Sequence, residues 1–253
     1  MPYFLMGVWL ALAAAAPRSG GVNATVRVAA ASDLRFALQE ILVDFKTANP
    51  HLPVEATYGS SGNFFAQIRE GAPYDLFLSA DVEYANQLAA AGLGDAPFHY
   101  ATGRLALVVR TDSGLDPTGL GTVLLRTSVR RIAIANPAHA PYGRSAVATL
   151  RTWGVYDSVA PRLVLGDSVS QATQFVDSGA AEAGIVALSL ARAAEPRLRY
   201  AEIPETAHPE IQQAGLILKR TPSPLAARRL RDFLLGDSAR RVLERCGFGL
   251  PGR

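Results

Sequence analysis

Four short stretches place small, hydroxyl-bearing or proline-preset residues where strand character gives way to helical character: Ala31-Ser32-Asp33, Gly59-Ser60-Ser61-Gly62, Ala140-Pro141-Tyr142-Gly143 and Gly166-Asp167-Ser168-Val169. The first amides of a helix have no intrahelical acceptor, and the helix dipole adds about half a positive charge there, so such junctions suit an anion. Gly59 and Gly62 let backbone N–H groups approach a ligand with no Cβ in the way. Apart from Arg144, just after Tyr142 and Gly143, no Lys or Arg accompanies these turns. The chemistry this predicts is anion binding by neutral donors. Each residue also has a plain structural reading: Ser32, Ser61 and Asp167 or Ser168 as ordinary N-caps, and Tyr142 as a lid on its own turn. Val169 has only its backbone to offer.

Other chemistries find less support. The four histidines, His51, His99, His139 and His208, fall in separate segments without metal-ligand spacing. Gly59-Ser60-Ser61-Gly62 is not the Gly-x-Ser-x-Gly of a nucleophile elbow, and no Asp and His are forced beside Ser61, so an enzyme is not expected. The formal charge is +3, and the basic residues gather late, at Arg228, Arg229, Arg231, Arg240, Arg241 and Arg245. On a helix spanning 224–245 they lie opposite Leu225, Leu230, Phe233, Leu234, Val242 and Leu243. That is a solvated face without aromatic interleaving, so nucleic acid is not an expected partner.

The elements that must carry the four junctions follow βαβ grammar. Strands are predicted at 26–30, 54–58, 75–79, 104–110, 131–135, 163–166, 184–188 and 215–219, with helices after most of them and Asp81 as the cap of one. At 253 residues, 49% of them hydrophobic and 19% charged, the chain can build two lobes with separate cores. The reading is a leader at 1–24, a first lobe from 25–104 and 218–253, and a second lobe from 105–217, with ligands at strand C-termini in the crevice between. Residues 4–16 are apolar but too short to span a bilayer, and small residues follow that suit signal-peptidase cleavage after Ala16 or Ala24. No cysteine lies near those sites, so no acylated anchor is expected. The one cysteine, Cys246, reads as a half-buried structural thiol.

The pieces Val28-Ala29-Ala30-Ala31-Ser32, Tyr58-Gly59-Ser60-Ser61-Gly62, Gly71-Ala72-Pro73-Tyr74-Asp75-Leu76-Phe77, Asn136-Pro137 with Ala140-Pro141-Tyr142-Gly143, and Gly184-Ile185-Val186-Ala187 resemble, in order and over residues 25–251, the periplasmic molybdate-binding proteins of bacterial ABC importers. The resemblance implies an α/β, two-lobed type II periplasmic-binding-protein fold, each lobe a mixed, mostly parallel sheet flanked by helices. It implies molybdate or tungstate as ligand, a membrane permease as partner and no cofactor. With no cysteine near the cleavage sites, a freely soluble periplasmic protein that does not insert into the membrane is expected, and a shuttle that must expose its cleft rim has no need to oligomerise, so a monomer is expected. The family's contacts to the anion oxygens fall on Ser32 and Ser61 in the first lobe and on Tyr142 and Val169 in the second, with no residue ligating the metal itself. Some members add a Tyr where this chain has Ala187, and that contact is not carried over. The alternative is the same fold holding sulfate or phosphate. Asp33 is expected to face away, because pointed inward it would repel a fully ionised oxyanion while suiting a protonated one such as hydrogen phosphate. Neutral donors must separate molybdate from sulfate by size rather than charge.

Overall fold

The computed structural model describes residues 25–251, so the predicted leader at 1–24 lies outside the described residues. The first lobe opens with β1 (Val26–Ala31), α1 (Arg35–Ala48), β2 (Val54–Gly59), α2 (Ser61–Arg69), β3 (Leu76–Ser79), α3 (Val82–Ala90) and β4 (Phe98–Gly103). The second comprises β5 (Leu105–Arg110), α4 (Gly121–Leu124), β6 (Ile132–Ala135), α5 (Pro141–Thr152), α6 (Tyr156–Val159), β7 (Leu163–Gly166), α7 (Val169–Asp177), β8 (Ala183–Ala187), α8 (Leu188–Ala193) and β9 (Leu198–Glu202). The chain then returns to the first lobe through β10 (Ile211–Ile217), α9 (Pro224–Leu234) and α10 (Asp237–Arg245).

Each lobe holds one five-stranded sheet, ordered β2-β1-β3-β10-β4 and β7-β6-β8-β5-β9. In both, three parallel strands are joined by an antiparallel one, β10 or β5, that follows a crossing from the other lobe. Central strands such as β3 and β6 are buried along their whole length, as strands covered by helices on both faces must be. Edge strand β2 alternates between half-buried and exposed residues over most of its length. Asp81 caps α3 as predicted, its carboxylate accepting the Glu83 amide at 2.9 Å.

Three expectations are corrected. The second crossing lies at residues 203–210, not at 217–218, because β10 pairs antiparallel with β3 and β4 of the first sheet. An apolar run reads alike in either sheet; here Gly215 leaves the space that Phe98 and Leu78 fill, 2.6 and 2.8 Å from where a Cβ would stand. Strands β4 and β9 went unpredicted because both are sheet edges of mixed polarity. The expected single helix over 224–245 is two, broken at Leu235-Gly236, and Leu225 is 78% exposed rather than packed. The arginines there are solvated, with Arg231 paired to Asp232 and Arg245 to Glu40.

Candidate functional site

Strand pairing brings the four junctions together in twos. β1 runs parallel to β2 in the register Ala31↔Gly59, which sets the turn at Ser32 beside the start of α2 at Ser61. β6 runs parallel to β7 in the register Ala135↔Gly166, which sets the start of α5 beside that of α7. The pairs face each other across the cleft, where Ser32, Asp33, Ser61, Tyr142 and Val169 line one cavity of about 10 Å³, room for about one water. All five are buried. All four residues singled out from the sequence are therefore in one place.

The hydroxyls sort by what already holds them. Ser61 Oγ accepts the Ala80 amide at 2.9 Å, so its own proton remains to be donated. Ser60, its neighbour, instead donates to the His139 carbonyl at 2.6 Å, with His139 Nδ1 3.0 Å from the same hydroxyl. Ser60 thus clasps one lobe to the other, and Gly62 N joins it by donating to His139 O at 3.0 Å. Ser32 Oγ accepts the Ser170 amide at 3.3 Å, and Ser170 Oγ returns a bond to Ser32 O at 3.1 Å. Ser168, not Ser32 or Ser61, performs N-capping: its hydroxyl accepts from Gln171 N at 3.3 Å and leaves Val169 as the first residue of α7. At the outer wall Arg144 pairs with Asp81 across the cleft and lies over the Tyr84 ring, 5.6 Å from its centroid. Among the described residues, no cluster of His, Cys, Asp or Glu has the makings of a metal centre.

Asp33 does not face away. It is 1% exposed and forms part of the cavity wall. Its Oδ2 accepts the Tyr142 hydroxyl at 2.9 Å and Gln213 Nε2 at 2.6 Å, and Gln213 Nε2 also reaches the Tyr142 hydroxyl at 3.2 Å. The turn Ser32–Leu34 opens α1 as a tight 3-10 segment with all three residues buried, so the carboxyl is carried inward with the backbone. Burial pushes the Asp33 carboxyl up to about 6, while the Gln213 and Tyr142 hydrogen bonds and the backbone amides of Asp33 and Leu34 pull the other way. Burial and the nearby Asp33 charge push the Tyr142 phenol well above the usual tyrosine range. The Tyr142 phenol proton is therefore committed to Asp33, which leaves the backbone N–H, in the first turn of α5, as the donor Tyr142 can offer a ligand. Gln213, on β10, was not foreseen. It lies just before the strand predicted at 215–219, within the range 105–217 assigned to the second lobe, and one of two adjacent glutamines carries no signal of its own.

A family model for bacterial extracellular solute-binding proteins matches residues 26–249. The molybdate-binding protein ModA of Azotobacter vinelandii is 33% identical over 99% of this chain and 100% of its own length. The corresponding protein of Rhodobacter capsulatus is 32% identical over 94% of this chain and 92% of its own. The solved structure of the Azotobacter vinelandii periplasmic molybdate-binding protein superposes with a TM-score of 0.83 at 32% identity, covering 90% of this chain and all of that one.

Proposed function

We propose, from the premise that this chain belongs to the bacterial extracellular solute-binding proteins, a family of binders and not of enzymes, that it captures molybdate, and tungstate with it, for an ABC importer. The observation that carries the reading is the convergence of Ser32, Ser61, Tyr142 and Val169, two from each lobe, on one cavity whose wall also includes the Asp33 carboxyl. The Ser32 and Ser61 hydroxyls would meet the anion on the first lobe, and the first-turn amides of Tyr142 and Val169 would close on it from the second. The cavity in this closed arrangement holds about one water, so a tetrahedral anion enters only when the lobes part. The crossings at β4–β5 and at residues 203–210 are the two places where that hinge motion can act. Closure is supported by the Ser60–His139, Ser170–Ser32 and Arg144–Asp81 contacts between lobes, and the closed form is what a membrane permease would recognise.

The carrier works as a soluble periplasmic monomer on this reading, and among the described residues no helix is long and apolar enough to cross a membrane. Calorimetric titration with molybdate, tungstate, sulfate and phosphate in one buffer tests it. One-to-one binding of molybdate and tungstate, with sulfate and phosphate failing to compete, is the expected result. Preference for sulfate or phosphate would keep the site and change the cargo.

A further inference from the structure

A buried carboxyl is an unexpected wall for a site that takes a doubly charged anion. Asp33 Oδ2 is engaged by the Tyr142 hydroxyl and Gln213 Nε2, while Oδ1, also buried, meets no side-chain donor among the described residues, and the backbone amides of Asp33 and Leu34 are the other groups that favour the charged carboxylate. The groups that face Asp33 bring no compensating positive charge. From α5 comes Tyr142, from β10 Gln213, and from β4 Tyr100, whose own hydroxyl donates to Ser79 O at 3.1 Å. From α8 comes Ser189, donating to the Asp33 carbonyl at 2.9 Å, and from α7 Ser170, bonded to Ser32. Arg35 on the adjoining helix turns to the Tyr58 ring of β2, 4.9 Å from its centroid, and Arg144 is held by Asp81.

We propose that anion capture takes up one proton on Asp33: the proton goes to Oδ1, the oxygen that no side chain engages, and the resulting O–H donates to an oxygen of the bound anion beside Ser32, Ser61, Tyr142 and Val169. This rests on the oxyanion reading above. The proton comes from solvent, no bond within the anion changes, and the complex carries one negative charge fewer than the separate ionised partners. Asp33 then discriminates as well as binds. A neutral carboxylic acid donates to a fully deprotonated anion, whereas an ionised one could only accept from an anion that brings its own proton. The position of the carboxyl between ordinary and near-neutral titration supports the step, since an arriving dianion raises it further.

The test is calorimetry of molybdate binding between pH 6 and 8.5, in pairs of buffers with different ionisation enthalpies, for the wild type and Asp33→Asn. The wild type is expected to take up close to one proton per anion at pH 8, with Kd rising about tenfold per pH unit above about 7. Asp33→Asn, which keeps the shape and offers a permanent N–H, is expected to bind with no proton uptake and a flat pH profile. Wild-type binding of molybdate without uptake, uptake retained in the Asn variant, or molybdate binding that appears only in the Asn variant would each overturn the proposal while leaving an oxyanion site in place. Absence of binding by any of the four anions would overturn the oxyanion reading and the proposal with it. Should the variant fold poorly, the proton count of the wild type alone decides.

Discussion

Asp33→Asn has a consequence for stability that can be worked out without any ligand. The carboxyl titrates at an ordinary 3.8 when unfolded and at about 6 in the fold, raised chiefly by burial. The folded chain therefore holds this proton more tightly than the unfolded chain does. The stabilising contribution is fully present below pH 3.8, is lost as pH rises toward 6, and stays lost above it. At about 1.4 kcal/mol per pH unit the gap is worth about 3 kcal/mol, to within the precision of such an interval. Asparagine keeps the shape, its carbonyl oxygen can accept from Tyr142 and Gln213 as Oδ2 does, and it cannot ionise. Urea unfolding of the two proteins at matched pH from 4 to 8, in buffers without oxyanions, should show similar stabilities at pH 4. At pH 8 the variant should be more stable by about 3 kcal/mol, a midpoint difference of roughly 1 M urea for a chain this size. Every other titrating group cancels in the comparison. A difference that stays constant from pH 4 to 8 would refute the reasoning, because it would mean that ionising this buried carboxyl costs the fold nothing.

Two further substitutions separate binding from closure. Ser61→Ala removes a donor to the anion and the acceptor of the Ala80 amide, and should weaken molybdate binding by about 1–3 kcal/mol, roughly 5- to 150-fold in Kd by calorimetry. An unchanged Kd would reduce Ser61 to a brace for the Ala80 turn. Gly62→Ala puts a Cβ 2.4 Å from His139 O on the opposite lobe and 2.8 Å from the Tyr84 hydroxyl, so it should prop the cleft open. At the roughly 1–3 kcal/mol typical of overpacking, its anion Kd should rise about tenfold, with a solution-scattering profile more open than the wild type and a melting temperature little changed. Equal compactness and equal Kd would show that α2 can shift aside.

The sequence made the junctions legible because their signals are local. A hydroxyl or proline at a helix start after an apolar strand can be read within a few residues, and Ser32, Ser61, Tyr142 and Val169 do line one cavity. What it left hidden depends on partners far along the chain. β10 is apolar enough for either lobe, and only its pairing with β3 and β4 assigns it. The inward course of Asp33 rests on a tight turn and on two donors, Tyr142 and Gln213, that lie 109 and 180 residues away. Charge pattern alone favoured the opposite orientation, since an acidic residue in a first helical turn is at home facing water. Ser60 and Ser61 are indistinguishable by type, and only the partners tell them apart: the His139 carbonyl across the cleft takes the proton of the first, while the second accepts the Ala80 amide and keeps its proton to donate.

The pairing of junctions also bears on how neutral donors could tell one tetrahedral anion from another. The gap between lobes is set by a hinge and can shrink until the cavity holds about one water, so it cannot by itself exclude a smaller anion. The spacing within each lobe is different. Ser32 and Ser61 hang from adjacent strands locked in the register Ala31↔Gly59, and α5 and α7 start from strands locked at Ala135↔Gly166. Neighbouring strands lie about 4.8 Å apart and are held there by their ladder of hydrogen bonds, so each lobe offers two donors at a separation the ligand cannot adjust. Each pair can grip one oxygen–oxygen edge of a tetrahedron, and the two lobes together grip two opposed edges. An anion with shorter bonds has shorter edges, and closing the hinge further brings the lobes together without bringing the two donors of one lobe any closer. On the proposed reading, size selection would therefore reside in sheet register, and a substitution that moves only the hinge should weaken molybdate and sulfate alike without changing their ratio.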